Sequence, residues 1–326
     1  MIRFICSWTG LRSFRRSLFP VLVVALLAAG CGSQASTSAP TIATRNSPCG
    51  RVPAGSVSYS HVIWLWMENQ SYSTVTDSRS APFLVSLERE CGLATNYHNI
   101  THPSLPNYIA ATSGASRGAL SQFATDCSPS ASCSISAPSL FAQVSRWRAY
   151  EESMPRPCDR SDAGLYAVRH NPPAYYGPIA GECVRSDLPI DRLDAALARN
   201  SLPAFTFITP NLCHDSHSCA VLSADGWLAG EVEKIVQSSA YRAGHTALFI
   251  TYDEGTGDIP VNCPAHRHAP SCHVATVVVS PSTPAETRTA GRFNHYSLLR
   301  TTEDLLGVGH LGMAARAHGM SSAFGL

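Results

Sequence analysis

Two polar pairs directly follow two of the most apolar stretches of the sequence. Glu68 and Asn69 come after one run, and Asp253 and Glu254 come after another. Taken alone, such a pair is commonly a solvated turn or a helix cap. Carboxylate and amide oxygens that two strand ends bring together can instead bind a divalent cation. The sequence therefore contains two halves of one candidate metal site.

Ser104 lies between these pairs in the chain. Pro106 falls where a first helical residue would sit, so Ser104 would directly precede a helix N-terminus. Backbone N–H groups and the helix dipole favour an anionic group there, which suits a serine that carries a phosphate. A serine at this position can equally be a helix cap. The residues alone leave both interpretations open.

Histidines occur close to the ends of two further predicted elements. His214 and His217 follow a short apolar run, in a segment that a bond between Cys213 and Cys219 would make rigid, and His295 opens the last predicted helix. A lone histidine is usually structural or at the surface. Cleavage of a phosphate ester, however, needs donors for the phosphoryl oxygens and an acid for the leaving group. The histidines are therefore candidates for those roles.

Strands and helices alternate along the chain, which favours an α/β fold with a largely parallel central sheet flanked by helices. We predict strands at 61–67, 150–154, 204–209, 245–252 and 274–280, and helices at 81–90, 106–112, 139–147, 224–239 and 294–307. The segments 121–136 and 155–187 predict a disulfide-pinned loop and an irregular surface excursion. Open α/β sheets bind ligands at the C-terminal ends of strands, and both acidic pairs fall there.

The N-terminus has the order of an export signal. Arg12, Arg15 and Arg16 precede an apolar run at 18–29 that is too short to be a comfortable membrane span. The run ends in small residues before Cys31, as in a lipoprotein signal; an ordinary signal peptide is the alternative. We therefore expect an exported protein, either anchored in the cell-envelope membrane through lipidated Cys31 or secreted.

The predicted domain organisation has three parts. Residues 1–31 form a lipoprotein signal peptide, 32–58 a flexible tether rich in small and polar residues, and 59–326 a single catalytic domain. The formal net charge is +1, and no basic stripe with interleaved aromatics is present. This composition excludes nucleic-acid binding as a supported function.

Ten cysteines remain after Cys6 and Cys31 are set aside, and an even number in an exported chain predicts disulfides. Close spacing suggests the local pairs 127/133, 213/219 and 263/272, and elimination leaves 49/91 and 158/183. A cysteine zinc site is disfavoured because no two cysteines have the CxxC spacing.

Five motifs occur in an order that resembles a bacterial phosphoesterase family. They are MENQSY at 67–72, HPSLPNY at 102–108, FITPNLCHDSH at 207–217, DEG at 253–255 and NHYSLLRT at 294–301. This family contains acid phosphatases and phosphatidylinositol-3-phosphatase-like enzymes, is related to phosphocholine-type phospholipases C, and belongs to the alkaline-phosphatase-like superfamily. The resemblance implies an alkaline-phosphatase-like fold with disulfide-stapled loops.

The resemblance also implies roles for particular residues. Glu68, Asn69, Asp253 and Glu254 match ligands of one divalent metal ion, and Ser104 matches the nucleophile. His214, His217 and His295 match positions that hold the phosphate or protonate the leaving oxygen, and His102 and Asn107 match substrate-binding positions. We expect two-step phosphoryl transfer through a phosphoserine.

Three functions compete at this stage. The first is a phosphatase that hydrolyses phosphate monoesters, with a phosphoinositide headgroup among the candidate substrates. The second is a phospholipase C-type phosphodiesterase, which the short chain disfavours. The third is a non-catalytic binding lipoprotein, which the intact motifs disfavour. We expect a monomer that meets the membrane only through its lipid anchor.

Overall fold

A mixed sheet of nine strands forms the centre of the described part of the chain. The computed structural model describes residues 47–257, 262–266 and 268–326, so the predicted signal peptide, Cys31 and the tether up to residue 46 lie outside the described residues. The strands are β1 His61–Met67, β2 Gly92–His98, β3 Trp147–Glu151, β4 Asp187–Pro189, β5 Phe205–Thr209, β6 Thr246–Tyr252, β7 His273–Val279, β8 Thr287–Thr289 and β9 Phe293–Asn294.

The strand order is β4-β3-β5-β1-β6-β7-β2-β8, and β9 also pairs with β2. Strand β7 runs antiparallel to β6 and β2, while the other pairs are parallel. The prediction of a largely parallel sheet is therefore confirmed. The carboxyl ends of β3, β5, β1 and β6 lie side by side at one edge, which is where the candidate residues leave the sheet.

Helices flank this sheet. They are α1 Tyr72–Val75, α2 Pro82–Glu90, α3 Ser104–Ser113, α4 Arg117–Leu120, α5 Leu140–Gln143, α6 Ala180–Ser186, α7 Asp191–Ala198, α8 Val221–Gln237, α9 Ser239–Arg242, α10 His295–Leu306 and α11 Ser321–Phe324. The side chain of Asn294 accepts hydrogen bonds from two backbone N–H groups at the start of α10, and Gly307 ends that helix with a φ of +66°. Among the described helices, none is both long and apolar enough to cross a bilayer.

Aromatic packing makes β1 a rigid support for the residues that follow it. Trp64 and Trp66 are fully buried. The Trp64 ring lies 4.9 Å from Phe205 in an edge-on arrangement, and Trp66 stacks on Phe207 at 5.6 Å. Each buried aromatic side chain removes ~150–250 Å² from water. Motion of the C-terminal end of β1 would therefore disturb a large part of the core.

Several predicted boundaries differ from the structure. Strand β2 was not predicted, because Thr95 and Asn96 interrupt its apolar pattern at an irregularity in its pairing with β7. The predicted helix 139–147 ends at Gln143, since the chain is already extended at Trp147. Helix α3 begins at Ser104, two residues earlier than expected. Helix α7 was also missed.

All five predicted disulfides are confirmed, namely Cys49–Cys91, Cys127–Cys133, Cys158–Cys183, Cys213–Cys219 and Cys263–Cys272. The first of them corrects the predicted tether. Cys49 is fully buried, and the N–H groups of Arg51 and Val52 both donate to the carbonyl of Pro281. Residues 47–58 are thus held on the domain, and the tether boundary placed at Ser58 is too late.

Candidate active site

Glu68 and Asp253 leave the sheet side by side. The register of β1 and β6 pairs Met67 with Tyr252, and the N–H of Asp253 donates to the carbonyl of Met67 at 2.9 Å. The next residue of each strand is therefore an acid at the same level of the sheet. Both side chains are fully buried. The register of β1 and β6 therefore brings the two acidic pairs together, as the sequence predicted.

Ser104 contacts this pair directly. It is the first residue of α3, and its Oγ donates to Glu68 Oε2 at 3.1 Å. The residue at the cap position is Pro103, so the hydroxyl of Ser104 does not cap the helix. One turn later the hydroxyl of Tyr108 donates to Glu68 Oε1 at 2.8 Å. The serine thus points at the carboxylate cluster from a helix N-terminus, where an anion is favoured.

Asn69 is oriented by its backbone. Its φ is +53°, a left-handed value that asparagine tolerates better than most residues. Its N–H donates to Asp253 Oδ1 at 2.9 Å, and the N–H of Glu254 donates to the same oxygen at 2.6 Å. The side chain of Asn69 makes no hydrogen bond to any described residue. Its amide oxygen is therefore available to a ligand.

His170 and Asp215 also belong to the cluster, and sequence reasoning assigned neither a role. His170 Nε2 lies 3.0 Å from Glu68 Oε1 and its Nδ1 lies 3.3 Å from Asp215 Oδ2, while its ring stacks on Tyr108 at 5.5 Å. The carbonyl of Asp215 accepts from the N–H of Glu68 at 2.9 Å. His170 falls in the predicted surface excursion 155–187, yet it is 2% exposed. No pattern in the sequence around it marks it as buried.

His217 lies at the solvent-facing mouth of this cluster. Its N–H donates to Asp215 Oδ1 at 2.7 Å, and its ring lies 6.0 Å from that of His170. The side chain is exposed, and only its Nδ1 contacts a described residue, Ser218. The ring is partly desolvated on its protein side, which lowers the pKa of His217, and the positive charge of Arg169 lowers it further. This histidine can reach a bound ligand.

His102 and Asn107 support Glu254. His102 Nδ1 lies 2.9 Å from Glu254 Oε2, and its Nε2 donates to the carbonyl of Ser271 at 3.1 Å. Asn107 Nδ2 donates to Glu254 Oε2 at 3.3 Å, and its Oδ1 accepts from the N–H of Thr101. Asn107 is fully buried. These contacts fix the loop before Ser104, and the predicted role of Asn107 in substrate binding stays a prediction.

The residues directly before Cys272 pack beside His102. The Cys263–Cys272 bond closes it, and the N–H of Gly255 donates to the carbonyl of Ser271 at 2.9 Å. A Cβ atom at Gly255 would lie 2.8 Å from Ser271. The glycine of the Asp-Glu-Gly sequence is therefore required by this close approach of two backbones.

The described contacts of His295 and His214 are with protein groups other than Ser104, and their predicted contact with phosphate stays a prediction. His295 is fully buried, with Nε2 2.6 Å from the carbonyl of Asp253 and Nδ1 3.1 Å from the Tyr97 hydroxyl. His214 Nδ1 lies 2.9 Å from Glu152. Both ring nitrogens of His295 therefore contact protein atoms, and the ring lies against the backbone of Asp253. The ring of His214 instead stacks on Trp227 at 6.0 Å.

The buried carboxylates fit a divalent cation. Burial raises the pKa of Glu68, and repulsion from Asp253 and Asp215 raises it further. Burial likewise raises the pKa of Asp215 to about 8 and that of Asp253 to about 6. Asp215 Oδ2 and Asp253 Oδ2 accept no hydrogen bond from the described residues. A cation would relieve this repulsion, and Asp253 Oδ2 is available to bind it.

The fold is similar to that of solved proteins in the alkaline phosphatase superfamily. The chain superposes on a Vibrio parahaemolyticus protein of that superfamily with a TM-score of 0.54 and 11% identity, over 80% of this chain and 70% of the other. The Listeria monocytogenes lipoteichoic acid synthase LtaP gives 0.54 and 12%, over 83% and 77%. At these identities the likeness concerns the fold alone.

Residues 64–309 match the Phosphoesterase family, and the chain belongs to that family. It is 25% identical over 270 residues to an acid phosphatase of Aspergillus fumigatus, which covers 78% of this chain but only 57% of the fungal protein. It is also 25% identical over 268 residues to a phosphatidylinositol-3-phosphatase of Mycobacterium tuberculosis, covering 82% of this chain and 83% of that protein.

Proposed function

We propose that the protein is a metal-dependent phosphatase that hydrolyses phosphate monoesters through a phosphoserine formed on Ser104. The observation that carries this proposal is the 3.1 Å contact between Ser104 Oγ and Glu68 Oε2 at the N-terminus of α3. A hydroxyl held against a carboxylate at a helix N-terminus is suited to attack a phosphate and then to carry it. Family membership and relatives named as phosphatases support the same class of reaction.

The metal ion would be held by Glu68, Asn69, Asp253 and Glu254. When bound, it would supply Lewis acidity to the phosphoryl group and lower the pKa of the serine hydroxyl. Ser104 Oγ attacks phosphorus, and Glu68 accepts the hydroxyl proton at Oε2. The oxygen–phosphorus bond of the serine ester forms while the bond to the leaving alcohol breaks.

The departing alcohol needs a proton, and we propose that His217 Nε2 donates it. Its exposed ring at the mouth of the cluster supports this assignment, since an alcohol must leave toward solvent. Water then attacks the phosphoserine and gives a proton to His217, Ser104 regains its proton from Glu68, and inorganic phosphate is released. His170 lies between Glu68 and Asp215, 3.0 Å and 3.3 Å from their nearest oxygens.

The substrate class follows from the relatives only as part of this proposal. We propose phosphate monoesters, with a phosphoinositide headgroup as the candidate lipid substrate. Export is supported by the five disulfides, which persist in oxidising compartments. The signal peptide at 1–31 and the anchor at Cys31 remain part of the proposal.

Turnover of nitrophenyl phosphate and of nitrophenyl phosphocholine tests this function. Protein lacking residues 1–31 is compared with Ser104→Ala and with Ser86→Ala, an exposed serine of α2 that serves as control. We expect monoester turnover that falls by about 10³-fold or more in Ser104→Ala and disappears with a chelator. Turnover of the diester alone would favour a phosphodiesterase, and full activity in Ser104→Ala would refute the nucleophile.

A further inference from the structure

Arg169 lies next to Asp126, which contacts the start of the helix that carries the candidate nucleophile. Its guanidinium donates no hydrogen bond to a described residue, and its nearest carboxylate oxygen, Asp126 Oδ2, is 3.9 Å from its Nε. The side chain is 22% exposed, so most of it is enclosed while part of it reaches solvent. An arginine has five N–H donors. Enclosed donors without acceptors at the mouth of an active site indicate an anionic ligand.

Asp126 places Arg169 at the start of α3. Its Oδ1 accepts from the N–H of Leu105 at 2.9 Å, and Leu105 directly follows Ser104. Asp126 has a φ of +50° and precedes Cys127, whose disulfide holds this turn. A single carboxylate thus separates the guanidinium from the helix N-terminus that carries the nucleophile.

The other neighbours of Arg169 belong to the same cluster. It directly precedes His170, which contacts Glu68 and Asp215. The backbone of Arg169 therefore adjoins the carboxylate cluster, while its guanidinium lies beside Asp126 at the start of α3.

The acidity of the cluster favours such a cation. Glu68, Asp215, Asp253 and Glu254 are all buried acids, and they surround the place where the phosphate would meet Ser104. A phosphate dianion approaching Ser104 would still meet negative charge. Arginine suits this position because its planar fork can bind two phosphate oxygens at once.

We propose that Arg169 binds the non-bridging phosphoryl oxygens of the substrate at Ser104, with Asp126 as its positioning residue. This inference rests on the proposed phosphatase function and adds a substrate-binding cation to that site. In the absence of substrate the long contact with Asp126 orients the guanidinium without occupying its donors. On binding, the donors exchange water for phosphate oxygens.

The test compares Arg169→Ala and Arg169→Lys with Arg160→Ala in the metal-loaded protein. Arg160 is exposed on the same segment and is the matched control. Inorganic phosphate is titrated by calorimetry, and KM and kcat are measured with nitrophenyl phosphate. We expect phosphate affinity to fall at least about tenfold in Arg169→Ala, partial recovery in Arg169→Lys, and no change in Arg160→Ala.

Chemical rescue separates binding from a structural role. Added methylguanidinium should restore part of the activity of Arg169→Ala and none of that of Ser104→Ala. Phosphate affinity within twofold of the unchanged protein would overturn the inference, as would lost activity without rescue and with a lowered Tm. If no phosphoester is turned over by the unchanged protein, the proposed function fails, while the phosphate titration still decides the role of Arg169.

Discussion

Ser104 Oγ lies 3.1 Å from Glu68 Oε2 although 36 residues separate them in sequence. The contact forms because β1 ends at Met67 and α3 begins at Ser104. The acid thus leaves the sheet where the serine enters its helix. This relationship makes Glu68 both a proposed metal ligand and the acceptor of the serine proton.

Glu68→Gln should therefore remove two functions at once. We expect metal affinity to fall at least about tenfold and kcat to fall about 10²-fold or more. Thermal stability without metal should be unchanged or higher, because burial and neighbouring acids oppose the charge of Glu68. Calorimetric metal titration, turnover and thermal melting measure the three quantities. Glu182→Gln, on an exposed position of α6, is the control, and wild-type metal affinity in Glu68→Gln would contradict the assignment.

Substitutions of His217 and His295 should differ in how strongly they reduce turnover of different substrates. His217→Gln should reduce kcat strongly for an alkyl phosphate and weakly for nitrophenyl phosphate, since nitrophenol leaves without help from an acid. His295→Gln should reduce both alike and lower stability by about 1–3 kcal/mol, because it leaves the buried Asp253 carbonyl or the Tyr97 hydroxyl without its partner. Equal losses on both substrates in His217→Gln would argue against its role as acid.

Glu88 gives the fold a pH dependence separate from the site. Burial raises its pKa from 4.5 to about 7, and Arg288, 3.6 Å away, offsets only part of the effect. Between these values the unfolded chain releases the proton while the folded chain keeps it. Stability therefore falls as pH rises through this window, by about 1–2 kcal/mol after allowance for solvent screening.

Glu88→Gln should flatten this fall, and Glu90→Gln, exposed on the same helix, should not. Denaturant unfolding at about pH 5 and about pH 8 gives the two free energies for each variant. If the free energy of unfolding changes equally between the two pH values in the unchanged protein and in Glu88→Gln, then Glu88 is ionised in the folded state at both pH values.

Removal of two different disulfides should affect stability and activity differently. Replacing Cys49 and Cys91 with alanine opens a 42-residue separation and should cost about 4 kcal/mol with kcat unchanged. Replacing Cys263 and Cys272 opens a separation of nine and should cost about 3 kcal/mol. The second pair should also lower kcat about tenfold, since it frees the Ser271 carbonyl that orients His102. Unfolding free energies and turnover of both double variants test the contrast.

The ends of the central strands were predictable, because a strand that is buried on both faces appears in the sequence as a continuous apolar run. This located Glu68 and Asp253, and the Pro106 signal placed Ser104 within two residues of its helix start. The direction in which a side chain of a loop points was not predictable from the sequence. His214 and His217 are three residues apart, yet one faces Glu152 and the other the mouth of the cluster.

His170 shows a different limit of sequence reasoning. The excursion that contains it has no periodicity, because short 3-10 turns rather than long helices carry it. Nothing in such a pattern marks a residue as buried. Its burial depends on contacts with Glu68 and Tyr108, which come from distant parts of the chain, and tertiary packing alone specifies it.

The Cys49–Cys91 bond also determines how the domain would respond to mechanical load. Tension applied between the two ends of the described chain enters at residue 47 and crosses the disulfide directly to Cys91. The enclosed segment, which includes β1 and Glu68, lies outside that force path and cannot be extended while the bond is intact. Tension between these two ends would therefore load β2 and the elements after it, while the segment that carries the proposed metal ligand is bypassed.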